Sequence, residues 1–222
     1  LQKSRNLEVI TGLFVSALII SNIVSTKILV LGPLTFDGGT LIFPLTYIFG
    51  DILTEVYGYA NSRRIIWIGF ISCLLMSLTF YLVGILPSAS DWTLQEAYQS
   101  ILGVTPRIVL ASLLAYLFGE FSNSFVLSKM KITTKGKFLF LRTIGSTIIG
   151  QIFDTGIFVI VAFAGMFNSN LLLKIIISNY IFKVSVEAIM TPVTYKVIGY
   201  LKKTDNMDVY DSKESYNPFS MK

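Results

Sequence analysis

Seven ionisable residues stand inside long apolar stretches of this chain: Lys27, Asp51, Glu55, Glu120, Asp154, Lys183 and Glu187. On insertion scales, a charge at the centre of a membrane span costs roughly 2.5–3.5 kcal/mol. Together such penalties rival the stability of a whole domain, so each group must be paired, protonated or facing a wet cavity. The segment FPLTYIFGDILTEVYGYANSRR, residues 43–64, poses the problem most sharply. Asp51 and Glu55 are four apart, so on a helix two like charges share one face and repel. A shared proton, a bound cation or a ligand's hydrogen-bond donors would relieve them.

Amides accompany these charges: Asn22, Asn123, Gln151 and Asn179. Helical spacing groups Gln151 with Thr155, Glu120 with Asn123, and Asn179 with Lys183 and Glu187. Lys183 and Glu187 also suit a plain intrahelical ion pair. Asp154 reads as a pocket acid, the alternative being a protonated acid bonded to a neighbouring helix. Five acids face two lysines, and no buried arginine is expected to clamp an anion. Such a cavity suits a proton, a cation or a ligand rich in N–H groups, and suits a phosphate badly. Tyr47, Phe49, Tyr57, Phe153, Tyr180 and Phe182 lie near the acids and could sandwich a flat ring, although such residues are also common at membrane surfaces.

The elements that must hold these groups follow from composition. Of 222 residues 53% are hydrophobic and 14% charged, with a mean hydropathy of +0.69, so lipid is the solvent expected for most of the chain. There is no histidine, which excludes Ser-His-Asp and Cys-His nucleophiles and His-ligated zinc; the single cysteine, Cys73, excludes a disulfide framework. No metal, cofactor or enzymatic activity is expected. The first apolar run is too long for a signal peptide and reads as a retained helix.

Spans of about 20 apolar residues are predicted at 7–31, 41–59, 65–87, 107–128, 139–167 and 171–201. This is an all-α membrane protein, a bundle of six transmembrane helices. LGPLTFDGG, YANSRR and PSASDWTLQEAYQSILGVTP separate the first four spans, the last with room for a short interfacial helix. Pro44 and Pro192 fall inside spans and are expected to kink them. The net charge of +5 is concentrated in alternate connections: Lys3, Arg5, Arg63, Arg64, Lys129, Lys131, Lys135, Lys137, Arg142, Lys202 and Lys203, against Arg107 and Lys174. That bias places both termini in the cytoplasm of a multi-pass protein. Residues 1–203 form the membrane domain, and 204–222 read as a polar, disordered tail. SNIVSTK (residues 21–27) echoes SNSFVLSK (residues 122–129) three spans later, compatible with two inverted three-helix halves or with chance.

SNIVSTK, FPLTYIFGDILTEVYGYANSRR, GQIFDTGIFVIVAF and NYIFKVSVEAIMTPVTY together resemble the queuosine precursor transporter family, six-span bacterial proteins also classed with vitamin uptake transporters. The resemblance spans about residues 12–200. It implies a site in the bacterial cytoplasmic (inner) membrane and uptake of queuine or its 7-deazaguanine precursors, salvaged for transfer RNA modification. The substrate residues it implies are Asn22, Asp51, Glu55, Gln151, Asp154, Lys183 and Glu187; the family varies at the positions of Glu55, Gln151 and Glu187. Lys27, Tyr47, Glu120, Asn123, Phe153, Asn179 and Tyr180 are the residues expected to support or gate that site. The partners are then a small deazapurine, the lipid bilayer and, if copies associate, a homo-oligomer; no nucleic acid is expected.

Two rivals belong to other classes. A substrate-binding component of an energy-coupling-factor vitamin transporter would need an external ATPase, and no convincing Ala-x-x-x-Ala docking motif is present. An intramembrane enzyme is disfavoured: Ile48 replaces the first glycine of a Gly-x-Gly-Asp protease signature, and no Asp-Asp-x-x-Asp pattern occurs.

Overall fold

The computed structural model describes residues 5–32, 34–103, 106–165, 168–210 and 217. α1 (Arg5–Val24) leads into an antiparallel hairpin of β1 (Ile28–Leu31) and β2 (Leu34–Asp37), then a 3-10 turn, Gly38–Leu41. α2 (Phe43–Ile52) continues through a π turn, Leu53–Tyr57. The remaining helices are α3 (Tyr59–Ile85), the short α4 (Gln95–Ile101), α5 (Pro106–Thr133), α6 (Leu139–Phe163) and α7 (Ser169–Thr204).

Burial runs opposite to that of a water-soluble protein. Leu75 is 63% and Ile189 74% exposed, while Asp51, Glu120 and Asn123 are fully enclosed. An apolar exterior around a polar interior is stable only in lipid. Asn6–Val24, Tyr59–Ile85, Leu110–Thr133 and Leu139–Phe163 are each long and apolar enough to cross a membrane. The chain is a multi-pass membrane protein.

Local chemistry explains the joints. Pro44 lies in the first turn of α2, where its missing N–H is harmless, so it starts that helix and does not kink it. α7 runs through Pro192 without a break. Gly58 makes the whole turn between the π segment and α3 with φ +83°, a left-handed conformation that glycine adopts at little cost. Because one residue suffices, YANSRR is no linker; it forms the first turns of α3, with Ser62 and Arg63 buried.

The first span is also shorter than predicted. Ser25 and Thr26 donate hydroxyl hydrogen bonds to Ser21 O and Ile23 O at the end of α1. The apolar run after them pairs as a hairpin, Ile28 opposite Asp37 and Leu31 opposite Leu34. A Cβ on Gly38 would lie 2.5 Å from Val24 O, so glycine lets the hairpin fold back on α1. Phe36 stacks on Phe182 of α7 with ring centroids 4.9 Å apart. Phe36 is the buried anchor of the hairpin.

The connection between the third and fourth predicted spans carries a short helix, α4. α6 ends at Phe163, four residues before the predicted limit. α5 and α6 approach closely at small residues: a Cβ on Gly150 would lie 2.8 Å from Asn123 Cβ and 3.0 Å from Gly119 O. The tail begins with fixed contacts at residues 205–210; its remainder, apart from Asn217, lies outside the described residues.

Candidate functional site

A cavity opens between α1, the 3-10 turn, α2, α5, α6 and α7. Asn22, Thr40, Phe43, Tyr116, Asp154 and Lys183 are among its walls. Lys183 Nζ donates to Asp154 Oδ2 at 2.7 Å and sits 4.4 Å from the Phe43 ring centroid. The intrahelical Lys183–Glu187 pair that the spacing allows does not form, because α6 brings Asp154 within reach of the ammonium. Asn179, one turn before Lys183, also lines the cavity, and its Oδ1 has no partner among the described residues. Asn22 Nδ2 donates to Leu18 O at 2.9 Å, with Cys73 Sγ 3.8 Å away. A wider apolar cleft of about 950 Å³ shares Asn22, Cys73, Ser112 and Phe158 with this cavity and continues toward α4.

Asp51 belongs to an adjoining layer. Its Oδ1 accepts from Asn123 Nδ2 at 2.8 Å, and its Oδ2 has no partner among the described residues. Tyr47 and Glu120 are buried beside it, and Glu187 faces it from α7. Three glycines make this packing possible. A Cβ on Gly50 would collide with Glu120, and one on Gly119 would lie 2.6 Å from the Tyr47 hydroxyl and 2.7 Å from Asp154 Cβ; Gly150 carries the close α5–α6 approach. Gln151 is buried on α6, its Oε1 accepting from Thr155 Oγ1 at 3.4 Å.

Glu55 lies elsewhere, and this corrects the expected Asp51–Glu55 proton-sharing pair. The π turn widens the helix, so residues four apart no longer stack. Both Glu55 oxygens engage the Arg142 guanidinium, Nη2 at 3.1 Å from Oε1, and Lys202 Nζ lies 2.7 Å from Oε1. A buried arginine is therefore present after all, but it clamps Glu55. Phe138, in a left-handed conformation at φ +54°, starts α6 early enough to place Arg142 one turn inside it.

The start of the tail covers this cluster. Lys131 Nζ donates to Glu55 O at 2.5 Å, Val209 O at 2.6 Å and Asp208 Oδ1 at 2.6 Å, and Lys202 Nζ lies 2.9 Å from the same Asp208 oxygen. Tyr57 and Asn6 each donate to the Asp205 carboxylate at 2.6 Å, and Val209 N–H donates to Val56 O at 3.3 Å. Partial burial raises the Asp208 carboxyl, but hydrogen bonds and charge from Lys131 and Lys202 outweigh it and hold the group below the usual carboxylate range.

The cavity thus gathers Asn22, Asp154, Lys183 and Asn179; Asp51, Tyr47, Glu120, Asn123, Gln151 and Glu187 lie beyond its walls. Besides Glu55, three further predicted residues lie away from the cavity. Lys27 is exposed beyond the end of α1. Phe153 is 45% exposed, because its position next to Asp154 turns it to the outer face of α6. Tyr180 is partly exposed, its hydroxyl 3.5 Å from Ile148 O. Tyr116, Thr40, Lys131 and Arg142 join the polar interior with no motif to mark them; only the position of Arg142 inside the predicted fifth span points to it.

A family profile described as "Putative vitamin uptake transporter" matches residues 37–197. A protein of Bacillus subtilis (strain 168) named "Probable queuosine precursor transporter" is 37% identical over 191 residues, covering 83% of this chain and 82% of that protein. A Haemophilus influenzae protein of the same name is 25% identical, over 72% of this chain and 67% of its own. The Escherichia coli (strain K12) "Queuosine precursor transporter" is 26% identical, over 72% and 71%. No solved structure matches the chain.

Proposed function

The chain belongs to this vitamin uptake transporter family, and on that premise we propose that it carries queuosine precursors, queuine or related 7-deazaguanine bases, into the cell. The carrying observation is the Asp154–Lys183 pair in the cavity wall, an acceptor beside a donor. A deazaguanine presents an N1–H and an amino group to a carboxylate, and the neighbouring carbonyl accepts from an ammonium. Phe43 and Tyr116 offer faces to a flat ring, and the amides of Asn22 and Asn179 offer further polar contacts. Asp51, Gln151 and Glu187 back this wall. Glu55 is committed to Arg142 and secures one end of the bundle.

Six crossings follow if α2 with its π turn, and α7, also traverse the bilayer. Arg63, Arg64, Lys129, Lys131, Lys135, Lys137, Arg142, Lys202 and Lys203 then share one end with the start of the tail, which is the cytoplasmic end of a bacterial inner-membrane protein. Asn22 and Asn123, from the echoed motifs, both reach the polar interior, which supports two three-helix halves.

Uptake of labelled base into cells that make no precursor of their own and lack energy-coupling ATPase modules tests this reading. Wild-type protein should restore uptake and Asp154→Asn should not. Uptake that requires the ATPase module would support the binding-component reading instead.

A further inference from the structure

Three buried acids are not used by the cavity's donor–acceptor pair. Asp51 on α2, Glu120 on α5 and Glu187 on α7 are 0%, 0% and 1% exposed. Asp51 Oδ1 is satisfied by the Asn123 amide. Asp51 Oδ2, both Glu120 oxygens and both Glu187 oxygens have no hydrogen-bond partner among the described residues. The Tyr47 hydroxyl, enclosed in the same layer, is likewise without a partner there.

The three carboxyl groups lie within electrostatic reach of one another, and Glu120 also of Asp154. Glu120 is held in place against Gly50, where no side chain fits. Among the described residues, the buried and half-buried cations are committed: Lys183 to Asp154, Arg142 to Glu55, Lys131 and Lys202 to Glu55 and Asp208, and Arg63 to the Asn217 carbonyl. The other titratable groups facing the set are Glu55 and Tyr47 on the α2 segment, Tyr116 on α5, Asp154 on α6 and Lys183 on α7, with Cys73 of α3 behind Tyr116. None brings an uncommitted positive charge.

Ionised, such a cluster would hold several unpaired charges out of water, which buried carboxylates do not sustain. A proton removes a charge and turns an acceptor into a donor for a neighbour's open oxygen. The cavity lies against this layer at Asp154, so a protonation change there is felt at the substrate pair.

We propose that Asp51, Glu120 and Glu187 form a proton-binding site that couples uptake of the base to the proton gradient. The site takes a proton from water on the outer side and releases it to water on the cytoplasmic side; no bond to the substrate forms or breaks. This rests on the transport reading above. Glu120 acts through the protonation of the cluster and does not touch the base.

The test uses the full chain in proteoliposomes with labelled queuine. Wild type should accumulate the base at least threefold above its external level when the outside is acidic, with dissipation by a protonophore, and should exchange base at equal pH. Glu120→Gln should retain exchange and lose accumulation. If that variant fails to fold, alkalinisation of the outer medium on adding base to wild-type vesicles is the second measurement. Exchange without response to the proton gradient, or accumulation driven by sodium alone, would overturn the coupling and leave the transport reading intact. A wild type that neither binds nor exchanges any base would overturn both.

Discussion

Asp51 and Glu55, four residues apart in one helical segment, join separate networks: Asp51 bonds Asn123 of α5, and Glu55 bonds Arg142 of α6. The π turn that carries Glu55 divides the polar interior into a substrate layer and an ionic lock. Breaking a buried ion pair from one side costs about 3–5 kcal/mol. Arg142→Met should therefore lower the melting temperature of the detergent-purified protein markedly. Replacing both partners, Glu55→Leu with Arg142→Met, should recover much of the loss. A single variant as stable as wild type would contradict the lock.

Gly50 tests the fit of Glu120. Gly50→Ala drives a methyl group into the Glu120 carboxylate, within the usual overpacking cost of about 1–3 kcal/mol. Adding Glu120→Ala should restore thermal stability, though not proton-driven accumulation of the base. If the single variant melts like wild type, the contact is not what demands glycine.

These two sites also show what the sequence made legible. Each buried acid could be found from its apolar surroundings, because the cost of burial is local. Their partners could not, because Lys183 chooses Asp154 over Glu187 only once α6 and α7 pack. Ile28–Leu31 reads as more helix, since a short apolar run has no period of its own; pairing with Leu34–Asp37 decides it. Arg142 looks like a loop charge after Lys135 and Lys137 until Phe138 starts the helix.

The docked start of the tail should respond to acid. An unfolded Asp titrates near about 3.9, and Asp208 is held lower when docked. Its contribution is therefore complete above the unfolded value and is lost as pH falls through the lowered one. A fluorophore on Tyr210→Cys, in a Cys73→Ser background, should gain mobility below about pH 4. Asp208→Asn should show that mobility already at neutral pH. With 43% of its side chain exposed, Asp208 alone should shift overall stability little.

Orientation is read by labelling single cysteines in the same Cys73→Ser background. Residues 88–103 should react with an impermeant reagent from outside intact cells. Positions 129–137 should react only after the membrane is opened. The reverse pattern would invert the topology.

The central claim is that the Asp154–Lys183 cavity binds a deazaguanine edge. Its most direct test is equilibrium binding of labelled queuine to the purified protein, beside an analogue lacking the exocyclic amine and the Asp154→Asn variant. Wild type should bind queuine saturably. The analogue and the variant should each lose about 1–3 kcal/mol or more, roughly tenfold to a hundredfold in affinity, because a buried polar group loses its partner. Asp154→Asn should remain folded by its melting curve. Equal binding by wild type and a folded Asp154→Asn would contradict the claim.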